Sequence, residues 1–281
     1  MNPKLRWRLF ILIFLFLLAT FSGYIAFKER RVGEMTVAFL NIGQGDSIFI
    51  ESPSGNQVLI DGGPDRSVLR EISKVIPFYD RNIDLVLATH PDADHVGGLV
   101  DVLGRYKVGL FMEPGTESDT SIYKELETRI QKINKIEARQ GMVVDLGSGA
   151  LLEILFPVLD PSGMETNTSS IVARLVYGES EFLLTGDSPV NIEEYLVDSG
   201  IVLDSDVLKA GHHGSKTSTS DTFVKTVTPE YAIISAGKDN RYGHPHKEVL
   251  DILSKNNVEI LNTADQGRII FKTDGVNLRV K

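Results

Sequence analysis

The sequence predicts a single α/β domain preceded by one membrane-spanning helix. Three observations support this prediction. A run without charged residues covers positions 9–27, short β-rich runs alternate with helical ones over the rest of the chain, and all six histidines fall in three short segments, each after a predicted strand. The 281 residues otherwise have ordinary globular composition, with 42% hydrophobic and 24% charged residues. We assign residues 1–31 to the membrane segment and residues 32–281 to the domain.

The apolar run at positions 9–27 has basic residues on both sides. As a helix it would extend roughly 28 Å, about the hydrocarbon thickness of a bilayer. A cleaved signal peptide and a buried core helix are the alternatives. An anchor is favoured because the run exceeds a usual signal h-region, and Ser22, Gly23 and Ala26 form only a poor cleavage site. We therefore expect a single-pass cell-membrane protein with an extracellular domain, although the flanking basic residues leave the orientation open.

Charge and cysteine content limit the classes of partner and site. Residues 32–281 carry 23 basic and 37 acidic residues, a formal charge of −14. This charge argues against a broad basic face that grips nucleic acid, but not against local phosphate binding by bound metal ions. Because the chain has no cysteine, any metal must be held by nitrogen and oxygen.

Short apolar runs bounded by Gly, Pro and Asn predict the strands, and longer runs between them predict the helices. The predicted strands are residues 35–42, 47–50, 57–60, 85–88, 151–156, 170–176, 181–184, 207–209, 231–235, 259–261 and 268–271. The predicted helices are residues 68–76, 95–103, 122–133, 190–198, 221–226 and 247–255. Neither a flexible linker nor a repeat of fixed period interrupts this alternation, which favours one domain.

Four side chains that can bind a metal lie within six residues after the predicted strand 85–88. They are His90, Asp92, Asp94 and His95. Two carboxylates placed so closely repel each other unless cations lie between them. The alternative is a solvated acidic turn that caps the following helix. The cluster therefore predicts a metal site.

A further apolar strand ends in a glycine turn and the single carboxylate of Asp187. An N-cap for the helix that begins near Pro189 is the competing explanation. In combination with the first cluster, Asp187 is placed to bridge two metals.

The strand at 207–209 leads to paired histidines, His212 and His213, between glycines. At least one of them would supply a nitrogen ligand. The following Ser215 and Lys216 are available to hold an anionic substrate. A polar surface loop is the alternative.

These motifs resemble the metallo-β-lactamase superfamily, and most closely the C-terminal hydrolase domain of the ComEC family of competence DNA-uptake proteins. The segments that carry the resemblance are residues 39–47 (FLNIGQGDS), 60–63 (IDGG), 89–95 (THPDADH), 184–187 (LTGD), 212–215 (HHGS) and 242–246 (YGHPH). They extend over nearly the whole domain. The resemblance implies an αββα sandwich with a dinuclear metal site at one edge of the two sheets.

The resemblance also implies a ligand set for two divalent metal ions. His90 and Asp92 would hold the first metal, Asp94 and His95 the second. Asp187 would bridge the two, and His212 or His213 would complete the second. Asp92 stands where the superfamily more usually has histidine, and Asn167 lies where many members supply another histidine. The ligands are therefore richer in oxygen, which shifts the expected metals from Zn²⁺ alone towards Mn²⁺ or mixed occupancy.

The implied chemistry is hydrolysis of a phosphodiester, with DNA as the expected substrate. Two cations would activate a bridging water and stabilise charge on the phosphoryl group, and Asp94 or Asp187 would orient that nucleophile. His244 is the candidate proton donor to the leaving oxygen, with a structural role as the alternative. The predicted substrate contacts are Asn167, Ser215, Lys216 and His246.

Two other functions compete with a nuclease. The same fold hosts lactonases, thioesterases and lactamases, so another hydrolase acting on a small ester, lactone or phosphoester is the first alternative. A non-catalytic binding domain is the second, and it is disfavoured because the ligands are intact. Since one membrane helix cannot conduct DNA, a separate DNA-uptake channel is a possible partner.

Overall fold

The computed structural model describes residues 2–28 and 33–281, and the chain divides into two compact units after Gly33. The first contains helix α1 (Pro3–Lys28). Within it, Pro3–Gly23 has the length and apolarity needed to cross a bilayer, and none of this span is buried. A membrane anchor and a signal segment both fit these properties. The predicted boundary between residues 31 and 32 lies outside the described residues.

The second unit is built from two mixed β-sheets. Its strands are β1 (Met35–Phe39), β2 (Ile48–Glu51), β3 (Gln57–Ile60), β4 (Asn82–Leu87), β5 (Lys107–Glu113), β6 (Asn134–Glu137), β7 (Val143–Asp145), β8 (Ala150–Phe156), β9 (Val172–Tyr177), β10 (Ser180–Leu184), β11 (Val207–Lys209), β12 (Tyr231–Ile234), β13 (Glu259–Asn262), β14 (Ile269–Thr273) and β15 (Leu278–Val280). The first sheet has the order β15-β14-β1-β2-β3-β4-β5-β6, and the second has the order β13-β12-β11-β10-β9-β8-β7.

The inner faces of the two sheets pack against each other through a continuous apolar core. Phe271 of β14 lies at its centre, edge-on to Phe39 of β1 and Phe182 of β10, with ring centroids 6.1 and 5.7 Å away. Phe39 and Phe271 belong to the first sheet and Phe182 to the second. These aromatic contacts therefore join the sheets directly.

Helices cover the outer face of each sheet. They are α2 (Ser67–Ile72), α3 (Ala93–Arg105), α4 (Ser121–Ile130), α5 (Val190–Asp198), α6 (Asp221–Val227), α7 (Lys247–Lys255) and the short α8 (Thr263–Gln266). Helices α2 to α4 bury apolar side chains on the first sheet, and α5 to α7 do so on the second. The predicted αββα sandwich is confirmed.

Strand direction explains where the chemistry-bearing loops emerge. Strands β3, β4 and β5 run parallel, as do β10, β11 and β12. Parallel neighbours end at the same edge of a sheet, so the loops that follow β4, β10, β11 and β12 are delivered together. All three histidine segments and Asp187 lie in these loops or directly after them.

The sequence did not predict β5, which has seven residues and is buried at its last three. The other missed elements are short or exposed. Strand β6 is exposed at every residue, β7 and β15 have three residues each, and α8 is a single turn. None of these other elements carries the alternation of apolar and polar residues by which a strand or helix is recognised. Helix α4 also ends three residues before the predicted end at residue 133.

Candidate metal centre

The side chains proposed to bind metal converge at the carboxyl edge of the sheets. His95 Nε2 lies 3.4 Å from Asp187 Oδ2, and His213 Nε2 lies 3.4 Å from the same oxygen and 3.3 Å from Asp94 Oδ2. Around a tetrahedral metal with ligand bonds of about 2.0–2.1 Å, neighbouring ligand atoms are about 3.3–3.4 Å apart. The observed separations therefore match the edges of one metal coordination tetrahedron.

Helix capping does not explain the carboxylates of Asp92 and Asp187. Asp92 occupies the N-cap position of α3, but its side chain makes no capping hydrogen bond. The N-cap of α5 is Pro189 rather than Asp187. Both carboxylates are thus free of the helix-capping role that their positions in the sequence allow.

Each buried histidine of the cluster has its Nε2 atom without a hydrogen-bond partner. This holds for His90, His95 and His213, and Oδ1 of Asp187 is likewise buried and unpartnered. Orphaned polar atoms of this kind are costly in a folded protein unless a ligand satisfies them. Three imidazole nitrogens and carboxylate oxygens are a donor set suited to Zn²⁺ or Mn²⁺. The residues therefore fit a divalent metal.

The other ring nitrogen of each of these histidines faces a protein oxygen. Thr89 Oγ1 donates to Asp61 Oδ2 at 2.7 Å, so His90 Nδ1, 3.0 Å from that hydroxyl, must be the donor to it. His95 Nδ1 lies 2.8 Å from the same carboxylate oxygen of Asp61. When neutral, both rings are thereby held in the tautomer that leaves the Nε2 lone pair free, as in carboxylate–histidine–metal arrangements.

Asp46 supports His213 from behind. Its Oδ1 lies 3.3 Å from His213 Nδ1, while its Oδ2 forms a 2.8 Å ion pair with Lys209, whose side chain is fully buried. Asp46, His95, Asp187 and His213 offer ligand atoms within 4.8 Å of one another and form a buried cluster that can hold a metal. Asp94 offers a further carboxylate oxygen beside this cluster, with its Oδ2 3.3 Å from His213 Nε2.

Sequence reasoning did not assign a role to Asp46, Asp61 or Lys209. The two carboxylates lie inside the segments 39–47 and 60–63 that carry the family resemblance, so a signal was present. Lys209 gave none, because a lysine that ends a three-residue strand is ordinarily a surface residue.

A second set of donors surrounds His90. His90 Nε2 lies 3.8 Å from Asp92 Oδ2, and the side chain of Asp92 is 39% exposed. The amide of Ile171 donates to Thr89 O at 2.9 Å, which places the 3₁₀ turn Asn167–Ser169 beside His90. Oδ1 of Asn167 in that turn is buried and unpartnered.

The candidate centre thus has two unlike halves, and Asp187 lies beside the histidines of the first. We call Asp94, His95 and His213 the buttressed half, and His90, Asp92 and Asn167 the open half. In the first, both histidines are backed by buried carboxylates; in the second, the single histidine is backed by a hydroxyl and its partners are oxygens.

The pKa values of the histidines also differ between the buttressed half and the open half. Burial would raise the pKa of Asp187, but the imidazoles of His213 and His95 hold that pKa well below its usual value. In return, and against the effect of burial, Asp187 raises the pKa of both histidines well above 6.5. Burial and the neighbouring His95 instead lower the pKa of His90 to about 4. Without metal, the buttressed half therefore holds protons that the open half does not.

The histidine pair occupies a strained turn. His212 has φ 47° and ψ 47°, and His213 has φ 57° and ψ 25°, so both lie in the left-handed region that side chains other than glycine rarely adopt. The turn buries His213 and leaves His212 partly exposed, with its Nε2 3.7 Å from Asp187. Of the two, His213 has the geometry of the ligand that completes the buttressed half.

Close backbone contacts fix the loop that carries Asp94. A Cβ at Gly45 would lie 2.1 Å from the carbonyl oxygen of Asp94, and one at Gly98 would lie 2.1 Å from the carbonyl oxygen of Gly62. Only glycine permits these approaches. The glycines of the motifs therefore press the first turn of α3 against the loops after β1 and β3.

The remaining predicted site residues lie around this centre. His244 is half-buried, with its ring centroid 5.5 Å from that of His212 and 6.3 Å from that of His213. His246 Nδ1 accepts the backbone N–H of Lys216 at 3.1 Å. The Lys216 side chain is exposed, whereas Ser215 is buried and bonded to Thr217. The structure brings His244 to the centre and leaves Ser215 turned to its own loop.

The sequence profile of the Metallo-beta-lactamase superfamily matches residues 40–238, which include every residue of both halves. The chain belongs to the metallo-β-lactamase superfamily. His244 and His246 lie beyond the matched residues, so their assignment to the site depends on the geometry described above.

Two curated relatives agree with the predicted ComEC resemblance. ComE operon protein 3 of Bacillus subtilis (strain 168) is 32% identical over 266 residues, covering 85% of this chain and 33% of the relative. Competence protein ComA of Neisseria gonorrhoeae is 29% identical over 257 residues, covering 89% of this chain and 34% of the relative. The chain spans about a third of the length of these relatives. The predicted relationship is confirmed as distant homology.

Solved structures support the same fold. The metallo-β-lactamase fold protein YhfI from Bacillus subtilis has a TM-score of 0.56 at 13% identity and covers 82% of this chain and 96% of its own. Igni18, a metallo hydrolase from Ignicoccus hospitalis, has a TM-score of 0.53 at 16% identity and covers 84% of this chain and 98% of its own. At these identities the likeness concerns the fold alone.

Proposed function

We propose that this superfamily member is a metal-dependent phosphodiesterase that acts as a nuclease on DNA. The observation that carries the proposal is that Asp187 lies 3.4 Å from both His95 Nε2 and His213 Nε2. A third histidine with an unpartnered Nε2, His90, lies beside them, with its ring centroid 4.1 Å from that of His95. Relatives named as a competence protein and as Recombination protein 2 support a nucleic-acid substrate. We further propose that α1 anchors the domain in the cell membrane, with the domain outside the cell, and that a separate DNA-uptake channel is its partner.

The ligand set divides between two divalent cations, Mn²⁺ or Zn²⁺. His90 and Asp92 would hold one, with Asn167 as a weak further oxygen donor or substrate contact. Asp94, His95 and His213 would hold the other, and Asp187 would contact both. When bound, such cations lower the pKa of water and offset negative charge on a phosphoryl group.

Side chains of the protein would position the water nucleophile and the substrate and would protonate the leaving oxygen. Asp94 and Asp187 are the carboxylates able to orient a nucleophilic water by accepting its hydrogen bond. His244 is the candidate proton donor to the leaving oxygen, since its Nδ1 is buried without a partner while its ring borders His212 and His213. Burial and these two imidazoles lower the pKa of His244 to about 4, so we expect it to act as an acid only at low pH. Lys216, with its side chain in solvent, and His246 would contact phosphate outside the metal centre.

The test is cleavage of labelled single- and double-stranded DNA by the full-length protein in detergent, with Mn²⁺ or Zn²⁺ added. The Asp94→Asn variant should lose cleavage. Asp101→Asn, an exposed aspartate on the same helix, is the matched control and should cleave normally. A protein that binds metal but leaves DNA and simple phosphodiesters intact would refute the proposal.

The charge of residues 32–281 favours one other candidate. At −14, the domain would repel a long polyanion, which suits a small neutral ester or lactone better than duplex DNA. Hydrolysis of such substrates at rates above those on any phosphodiester would select this alternative. Activity confined to short or single-stranded DNA would instead reconcile the charge with the nuclease.

A further inference from the structure

Aromatic rings in successive contact extend from the turn that carries His212 and His213 to the protein surface. His244 borders the rings of His212 and His213, and Tyr242 stacks on His244 with centroids 5.6 Å apart and planes 23° apart. The guanidinium of Arg241 lies 4.9 Å from the centroid of the Tyr242 ring and donates to its hydroxyl at 2.8 Å. Arg241, Tyr242 and His244 are called the aromatic ledge below.

The ledge is open to ligands from the outside. Tyr242 is 49% exposed although it is a large aromatic residue, and Arg241 is exposed beside it. The guanidinium lies over the Tyr242 ring, and because its side chain is exposed it can turn from the ring towards a phosphate. The ring face that it uncovers can then stack on a base, so the pair matches the two parts of a nucleotide.

The backbone that carries Tyr242 and His244 is held in place. The side chain of Asn240 accepts the backbone N–H groups of Tyr242 and His244 and donates to the carbonyls of Gly237 and His244. On the other side, a Cβ at Gly214 would lie 2.7 Å from the Cβ of Pro245, so the loop packs tightly on the histidine turn. A platform held in place before binding loses little entropy when a ligand docks.

We propose that the aromatic ledge is the subsite that binds one nucleotide of a single-stranded nucleic acid, with its base stacked on Tyr242 and a phosphate on Arg241. This inference rests on the proposed nuclease function. It specifies a strand with accessible bases, since the bases of a duplex are already stacked on their neighbours. A local stacking contact would also allow a domain of charge −14 to select nucleic acid without a broad basic face.

The experiment measures binding separately from cleavage, using the full-length protein in detergent with Mn²⁺. The probes are a fluorescein-labelled phosphorothioate oligothymidylate and an abasic strand of the same length and charge. By fluorescence anisotropy, the wild type should prefer the thymidylate by roughly tenfold to a hundredfold. Tyr242→Leu should abolish that preference, and Tyr242→Phe should keep it because the ring remains.

The control is Phe78→Leu, which removes an exposed aromatic residue from the connection between α2 and β4 and should leave the preference intact. Equal metal content and circular dichroism spectra exclude misfolding of Tyr242→Leu. Equal binding of the two strands by the wild type, absence of binding to either, or a preference retained in Tyr242→Leu would overturn the ledge. Absence of DNA cleavage, with a preference that depends on Tyr242, would refute the nuclease and leave the ledge standing.

Discussion

The buttressed and open halves of the metal centre contain similar ligands but are supported differently. His95 and His213 are each backed by a fully or almost fully buried carboxylate, and one of those carboxylates is itself neutralised by buried Lys209. His90 is backed only by the hydroxyl of Thr89, and its neighbour Asp92 is 39% exposed. Strong outer support raises ligand basicity and fixes geometry, so we expect tight metal binding in the first half and weak, exchangeable binding in the second.

The largest effect should come from Asp187, the residue that we propose both halves share. Replacing it with Asn removes the carboxylate that contacts His95 and His213, so both metals should bind poorly. We expect kcat/KM to fall by roughly 10³-fold or more, given the several kcal/mol that metal stabilisation supplies. Metal content and cleavage rate are the measurements. Asp198→Asn, an exposed aspartate at the end of α5, is the control; a variant of Asp187 with full metal content would show that the halves do not share it.

Proton release should distinguish the halves next. The pKa values of His95 and His213 are raised well above 6.5, so at pH 7 both rings are protonated in the metal-free protein and must lose protons when metal binds. His90, with its pKa lowered to about 4, is already neutral. Affinity of the buttressed half should therefore rise with pH by up to roughly 10²-fold per unit, and that of the open half much less. Calorimetry in buffers of different ionisation enthalpy counts the protons; equal release at both metals would contradict the comparison.

Asp46→Asn tests the support behind His213. Loss of this outer carboxylate should weaken metal binding in the buttressed half by roughly 10- to 100-fold and leave the open half unchanged. Competition with a chelator measures the change. Lys209→Met is the companion variant, and it should cost about 3–5 kcal/mol of unfolding free energy because the buried carboxylate of Asp46 loses its lysine partner and keeps only His213. Affinity equal to wild type in Asp46→Asn would mean that Asp46 serves only the fold.

The smallest effect should come from Asp92→His, which replaces an exposed oxygen ligand of the open half with imidazole. Nitrogen ligands favour Zn²⁺ over Mn²⁺, so the preference at this position should move towards Zn²⁺ by roughly tenfold. Metal competition followed by elemental analysis checks the shift. The buttressed half should keep its preference, and a change there instead would show that the assignment of Asp92 is wrong.

The fold and the neighbourhood of the site were predictable because the signals are local. Apolar strands lead into His90, Asp187 and His212, which predicts metal ligands at the ends of these strands. Parallel neighbouring strands end at the same edge of a sheet, so these ligands are expected to lie together. The exposed strand β6 lacks the required alternation and was missed.

The support behind the ligands depends on long-range packing. Asp46 and His213 are far apart in the sequence, and Lys209 becomes a partner only because β11 ends beside the loop after β1. The choice between His212 and His213 depends on two left-handed backbone conformations, which neither the spacing nor the residue type reveals.

The single carboxylate of Asp187 has a consequence for how the centre fills. One of its oxygens lies near both His95 and His213, and the other is buried and unpartnered. A cation that enters one half neutralises charge and fixes an orientation that the second cation then encounters. If two cations bind through this carboxylate, as we propose, their binding is thermodynamically linked. Linkage is reciprocal, so the effect of the first metal on the affinity for the second equals the effect of the second on the first. Metal titrations of this protein should accordingly show cooperativity, of one sign or the other, rather than two independent isotherms.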